Sequence, residues 1–313
     1  MNKRLTVFTP VYNRSKIIVD LFNSLCDQTV KDFEWIVVDD GSDDNIDEVV
    51  KQFMDQKTGI PIRYFKQKHG GKHRAINYAL GKAEGEYFFI VDSDDMLTDN
   101  AVELILKWIE EIKDRHDIAG VAGLRISKNG IVWGENPKLQ GNAFVECSNL
   151  ERKKYNLLGD KAEIYKTDIL RQFPFPEFEG EYFVTENVCW DAIAHRGYKL
   201  RWYNIPIYVC EYLDDGLTKN GANGIDGHMR NYKGYCFYVE QSMHIVPFKD
   251  RMYRLYWYNN TRKRMKKSLS DAAKDIKISK DRYCVNLFIL MPVAYLLRKL
   301  DKLKEMWKKK NGI

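Results

Sequence analysis

Residues 87–97 read YFFIVDSDDML, an apolar run that ends in Asp92, Asp94 and Asp95 with only Ser93 among them. Carboxylates packed this closely repel one another, and each costs free energy unless water or a cation offsets it. A divalent ion is the natural counter-charge. Magnesium and manganese prefer carboxylate oxygens and take one or two of them beside phosphate and water ligands. The alternatives are a solvated acidic loop or a helix cap, for which Asp95 and Asp99 both qualify. A second acidic strand end, VVDDGSDD at 37–44, carries Asp39 and Asp40. A carboxylate there either caps a turn or accepts hydrogen bonds from a nucleobase N–H. In the intervening KQKHGGKHRAIN (66–77), glycines permit close backbone approach and Lys72, His73 and Arg74 open a helix. Helix N-termini favour anions, and the plain alternative is a solvated basic loop. His69 and His73 are not a preferred metal pair, because the nearby carboxylates better suit a hard cation.

Positioning these groups requires a scaffold, and the pattern predicts one. Residues 4–9 form a β-prone run stopped by Pro10, and 15–28 carry Ile17, Ile18, Leu21, Phe22 and Leu25 at helical spacing behind a possible Ser15 cap. Strands are predicted at 33–39, 60–66 and 87–92, with helices at 44–56 and 73–83 between them. Strands alternating with helices predict a parallel, doubly wound sheet, whose ligands bind outside the carboxyl ends of the strands. The Pro10–Tyr12 turn and the acids at 39–40 and 92–95 are therefore expected at one edge. A helix is predicted over 99–113, a hairpin turn at SKNG (127–130) and a further helix over 186–196, while the strand–helix rhythm weakens beyond about residue 120.

The 313 residues suffice for a large domain with an extension, and 44% hydrophobic with 30% charged residues describes a globular chain. Six scattered cysteines without a C-x-x-C pair fit a reducing cytoplasm. The apolar run at the amino terminus is too short for a signal peptide, and no window is long enough to span a bilayer. Residues 249–313 carry 19 Lys and Arg against 6 Asp and Glu, a balance of +13, whereas residues 1–248 carry 31 against 38, or −7. Within that tail, 283–310 join a mostly apolar segment to a lysine-rich amphipathic end. Such a segment suits an anionic membrane surface; a packed terminal helix or a dimer contact would use the same residues. Nucleic acid is not an expected partner, since no groove-reading motif accompanies the charge.

TPVYNR (9–14), FEWIVVDDGSDD (33–44) and GGKHRAINYALGKAEGEYFFIVDSDD (70–95), with FVTENVCWDAIAHRGYKLRWYN (183–204), together resemble a family 2 glycosyltransferase of the GT-A fold, of bacterial polysaccharide type. EYLDDGLTKNG (211–221) resembles the acceptor half more loosely. The resemblance implies a nucleotide-sugar donor, usually UDP-linked, bound with manganese or magnesium, and transfer with inversion at the anomeric carbon. Pro10, Val11 and Tyr12 would line the base pocket, Asp40 would face the uracil, and Asp92 would approach the ribose or sugar. Asp94 would hold the metal, with Asp95 a close alternative, and Lys72 would serve the donor's anionic part. The family often supplies its base from an acidic pair near 186; here the pair is Glu186-Asn187, and an amide cannot act as a base. Glu186 is thus the candidate base and Asp191 the second; the other reading of Glu186 is a carboxylate stabilised by a helix N-terminus. Trp190 has two readings, a sugar platform or a core residue.

The expected architecture is a GT-A α/β protein with a Rossmann-like, mainly parallel sheet: a nucleotide-sugar-binding half over 1–115, an acceptor-binding half over 116–248 and a basic helical extension over 249–313. The expected activity is metal-dependent hexosyl transfer to a glycan or lipid-linked acceptor in surface polysaccharide biosynthesis. The expected setting is the cytoplasm, with peripheral attachment to the inner face of the cell membrane. A non-catalytic sugar-nucleotide or glycan-binding protein is the alternative. A phosphatase using D-x-D is disfavoured, because that motif would follow the first strand and here it follows the fourth.

Overall fold

The computed structural model describes residues 4–210, 224–297 and 299–300. The EYLDDGLTKNG stretch at 211–221 lies outside the described residues. The chain forms two compact units, Met1–Glu177 with Cys189–Leu213, and Phe178–Val188 with Asp214–Ile313.

In the first unit, β1 (Leu5–Val11), α1 (Ile18–Cys26), β2 (Phe33–Asp39), α2 (Ile46–Met54), β3 (Ile62–Lys66), α3 (Lys72–Leu80) and β4 (Tyr87–Ile90) follow the alternation read from the sequence. The four strands are parallel, in the order β3-β2-β1-β4. Every residue of β2 is buried, as a strand covered on both faces requires. Helical spacing delivers Leu21, Phe22 and Leu25 of α1 and Val50 and Phe53 of α2 to the same core. There the Phe22 ring stacks on Phe53 at 4.0 Å, and Trp35 of β2 sits 6.1 Å from each.

The unit continues through β5 (Met96–Leu97), α4 (Ala101–Ile112), β6 (Ile118–Ile126), β7 (Phe144–Cys147), β8 (Lys161–Lys166), α5 (Thr167–Arg171), all but the first two residues of α6 (Asn187–His195), and β9 (Lys199–Val209). The sheet order is β3-β2-β1-β4-β8-β6-β9-β5, with β7 also on β9. β8 enters between β4 and β6, antiparallel to both. Gly120 makes this insertion possible, since a Cβ there would meet the Ile164 carbonyl oxygen at 1.9 Å. β6 and β9 are again parallel, so β9 brings its carboxyl end to the same edge as β1, β2 and β4.

Three local expectations change and one holds. β1 runs through Pro10 to Val11; its pairing with β4 ends at Phe8, so the missing proline N–H interrupts no ladder on that side. Ser15 does not cap α1, which begins at Ile18, and its N–H instead donates to Asp44 Oδ2 at 2.9 Å. Neither Asp95 nor Asp99 caps α4. Gln28 does that work, its Oε1 accepting the Val102 N–H at 2.9 Å and its Nε2 donating to the Thr98 carbonyl at 2.8 Å. The SKNG turn forms, with Gly130 at φ 78 and its N–H on the Ser127 carbonyl.

The second unit contains α7 (Ile225–Arg230), α8 (Tyr232–Ile245), α9 (Phe248–Arg264), α10 (Leu269–Asp275) and α11 (Lys280–Val285), followed by a π-helical turn, Asn286–Leu290. Its core gathers Tyr235, Val239, Met252, Leu255, Tyr258, Ile276 and Tyr283. One sheet runs through residues of both 1–115 and 116–248, and the helices of the second unit begin at Ile225. All six cysteines are free thiols.

Candidate active site

The loops at the carboxyl ends of β1 and β2 are cross-linked to each other. Asn13, at φ 54, donates its N–H to Ser42 Oγ and accepts the Asp43 N–H on Oδ1, both at 2.9 Å. Asp39 is fully buried and takes the turn-capping role: its Oδ1 accepts the Ser42 N–H at 2.7 Å, while Oδ2 accepts the Tyr64 hydroxyl at 2.8 Å and faces Lys66 Nζ at 3.2 Å. Gly41 follows at φ +79, where a Cβ would press within 2.7 Å of the His69 backbone nitrogen.

Asp40 anchors the glycine loop. Its Oδ1 accepts Gln67 Nε2 at 2.7 Å and the Gly70 N–H at 2.9 Å; Oδ2 accepts the Gly71 N–H at 2.7 Å and lies 2.9 Å from His69 Nδ1. A carboxylate offers about four lone-pair positions, and three N–H donors of this loop occupy most of them. Asp40, the residue expected to face a base, thus holds the Gly70-Gly71 loop in place. Above it the exposed Tyr12 ring stacks on His69 at 4.2 Å. Pro10 and Val11 lie at the end of β1 beneath it, Val11 buried.

α3 starts at Gly71, at φ 94. Lys72 Nζ reaches Asp92 Oδ1 at 2.6 Å, both side chains partly exposed. Arg74 turns away from the acids, bonding the Gly70 carbonyl at 2.6 Å and Glu177 at 3.3 Å. His73 points inward, only 2% exposed, with neither ring nitrogen hydrogen-bonded among the described residues. Burial, with Arg74 nearby, lowers its pKa to about 4.

The three acids after β4 occupy three different environments. Burial opposes the charge of Asp92, but Lys72 and Arg125 hold its carboxyl below the usual carboxylate range. Asp94, half-buried, is raised by burial and by the Asp92 charge. Asp95 is buried and pushed up to about 8 by burial and Asp92, although the Tyr208 hydroxyl donates to its Oδ2 at 2.6 Å. The charged forms of Asp94 and Asp95 are therefore disfavoured by their surroundings, and a divalent cation would supply the compensation that their ionisation needs. Among the described residues no three His, Cys, Asp or Glu side chains converge as a closed metal site. An ion at Asp94 would complete its shell from a bound ligand and water.

Two residues here carried no sequence signal. Tyr208 of β9, fully buried, donates to Asp95 and accepts the Asp92 N–H at 3.0 Å. Arg125, at the end of β6, lays its guanidinium 4.2 Å from the Tyr208 ring centre and donates from Nε to the Lys161 carbonyl. A buried Tyr in a strand reads as core until the neighbouring strand is known.

The remaining candidates separate. Asp191 is 1% exposed and accepts Asn149 Nδ2 at 2.7 Å. Trp190 stacks on Tyr165 at 4.4 Å and meets Phe175 edge-on, which makes it a core residue rather than a sugar platform. Glu186 belongs to the second unit, half-buried and immediately ahead of α6.

A mainly parallel α/β sheet with acidic loops at the carboxyl ends of β2 and β4 is the GT-A architecture. The Glycosyl transferase family 2 model matches residues 6–172, and the chain belongs to that family. Glycosyltransferase GlyG of Streptococcus pneumoniae is 36% identical over 120 residues, 38% of this chain and 39% of GlyG. The chain thus spans well under half the length of that relative. The structure of Staphylococcus aureus TarS 1–349 in complex with UDP is similar with a TM-score of 0.59 at 20% identity, covering 95% of this chain and 87% of that one. Mannosyltransferase PcManGT from Pyrobaculum calidifontis, in complex with GDP-Man and Mn²⁺, gives 0.53 at 18% identity, covering 96% and 80%. These two likenesses concern the fold.

Proposed function

We propose that this protein is an inverting, metal-dependent glycosyltransferase that moves a hexosyl group from a UDP-sugar to a hydroxyl of a glycan or lipid-linked acceptor in surface polysaccharide biosynthesis. The observation that carries the reading is the crowding of Asp94 and Asp95, whose ionisation the site disfavours, beside the Lys72–Asp92 pair after β4, at the carboxyl-end edge of the parallel strands. The UDP of the TarS complex and the GDP-Man and Mn²⁺ of the PcManGT complex support a nucleotide donor with a divalent ion.

In this reading Pro10, Val11 and the Tyr12–His69 stack line the base pocket, and Asp40 shapes it through the Gly70-Gly71 loop. Lys72 and Asp92 orient the ribose and diphosphate side of the donor. Manganese or magnesium bound at Asp94, with Asp95 behind it, would offset the charge that develops on the departing diphosphate. Glu186 takes the proton of the acceptor hydroxyl; the new bond forms at the anomeric carbon as the bond to the diphosphate breaks on the opposite face, and the electron pair leaves with UDP. Asp191 is the second choice for that base, but its burial and its bond to Asn149 favour a structural role.

Calorimetry with UDP and a panel of UDP-sugars, with Mn²⁺ or with chelator, tests the site on wild type and Asp94→Ala. Metal-dependent binding that the variant loses is the expected result; absence of nucleotide binding under both conditions would overturn the transferase reading. Donor binding without transfer or slow hydrolysis would support a binding protein instead.

A further inference from the structure

The helical stretch that follows α11 in the second unit is apolar on faces that are exposed among the described residues. Leu287, Leu290, Met291 and Ala294 recur at helical spacing and pack on the core around Tyr258 and Tyr283. Between and beyond them, Phe288, Ile289, Val293, Tyr295, Leu296 and Leu300 are exposed, Phe288 by 68%, Tyr295 by 66% and Leu296 by 58%. A helix that is apolar all round is normally buried all round, and a contiguous exposed apolar face of this kind marks an interaction surface. The same unit exposes Tyr253, Tyr256 and Trp257 on α9, the aromatic types that favour a membrane–water interface.

We propose that this face docks on an anionic bilayer surface. Charge selects the occupant. Residues 249–313 hold 19 basic against 6 acidic side chains, so a second copy would bring +13 against +13, whereas anionic headgroups would meet their complement. Among the described residues no helix is long and apolar enough to cross a membrane, which leaves the exposed stripe to lie in the interface plane. Phe288, Ile289 and Leu296 enter the acyl boundary, while the basic side chains remain at headgroup level. The inference rests on the second unit alone and is independent of the transfer reaction.

The test is co-sedimentation of the full-length protein with vesicles of phosphatidylcholine alone or with phosphatidylglycerol added. Expected is binding at least about tenfold stronger to the anionic vesicles, weakening as salt is raised. The triple variant Phe288→Ser, Ile289→Ser, Leu296→Ser is expected to lose at least about tenfold of that binding. A wild-type melting temperature would show that the triple variant folds; if it does not fold, the single variant Phe288→Ser takes its place. Equal binding to both vesicle types, or binding unchanged in the substituted protein, would overturn the proposal. So would a salt-insensitive dimer, seen by light scattering without vesicles and dispersed by the same substitutions, because a second copy would then cover the face.

Discussion

The Tyr208 hydroxyl donates to Asp95 Oδ2 over 2.6 Å, across 113 residues of sequence. Because the same oxygen accepts the Asp92 N–H, one buried side chain from β9 grips both ends of the D-S-D-D turn. Its ring carries the Arg125 guanidinium on one face and meets Phe89 of β4 edge-on.

Tyr208→Phe keeps the ring and removes the grip. Leaving the buried Asp95 carboxyl without it costs about 1–3 kcal/mol, and losing the part-buried bond to the Asp92 N–H adds to that, which lowers the melting temperature. Structural loss alone would leave the donor KM unchanged. We expect instead a rise in donor KM and in the Mn²⁺ concentration for half-activity, of roughly tenfold or more. Steady-state kinetics across a metal titration will decide.

Gly41→Ala should damage the donor pocket from a distance. The residue sits at φ +79, and its new Cβ would push on the His69 backbone. Strain of this kind costs on the order of 1–3 kcal/mol, and the loop it moves is the one Asp40 anchors. Thermal melts should report the first effect and calorimetry with UDP the second.

Glu186→Gln and Asp191→Asn should fail differently. Removing a general base costs about a hundredfold to ten-thousandfold in turnover. Glu186→Gln is expected to lose that much kcat while UDP affinity and the melting temperature stay at wild-type values. Asp191→Asn, at a buried site bonded to Asn149, is expected mainly to lower the melting temperature. The reverse pattern would move the base to Asp191.

His73 gives stability a pH dependence with a definite sign. Its pKa is lowered from 6.5 to about 4, so below pH 6.5 the unfolded chain takes up a proton that the folded chain refuses. The stabilisation from a neutral, buried imidazole is complete above pH 6.5 and is lost as pH falls toward about 4. The full loss is on the order of 3 kcal/mol. Urea titrations between those limits should show a shallower decline for His73→Gln than for wild type; parallel curves would refute the assignment.

The sequence by itself determined the first half of the fold and the location of the acids. Strands buried on both faces must be continuously apolar, as in Phe33–Asp39, and helices lying on them must repeat their apolar residues at helical spacing, so both are local signals. The crowding at Asp92, Asp94 and Asp95 was legible for the same reason, since like charges a residue apart demand compensation.

Only the tertiary structure decided how each acid is used. Asp40 spends its lone pairs on a loop some thirty residues away, a partnership that no spacing announces. Trp190 became core when Tyr165 of β8 came to lie beneath it, and Gln28 rather than an aspartate capped α4. Tyr208 and Arg125 entered the site because β8 inserts between β4 and β6 and β9 runs parallel to β6. Strand order depends on non-local pairing, whereas composition and periodicity report only a residue's own element. The chemistry was therefore visible in the acids, and their support was not.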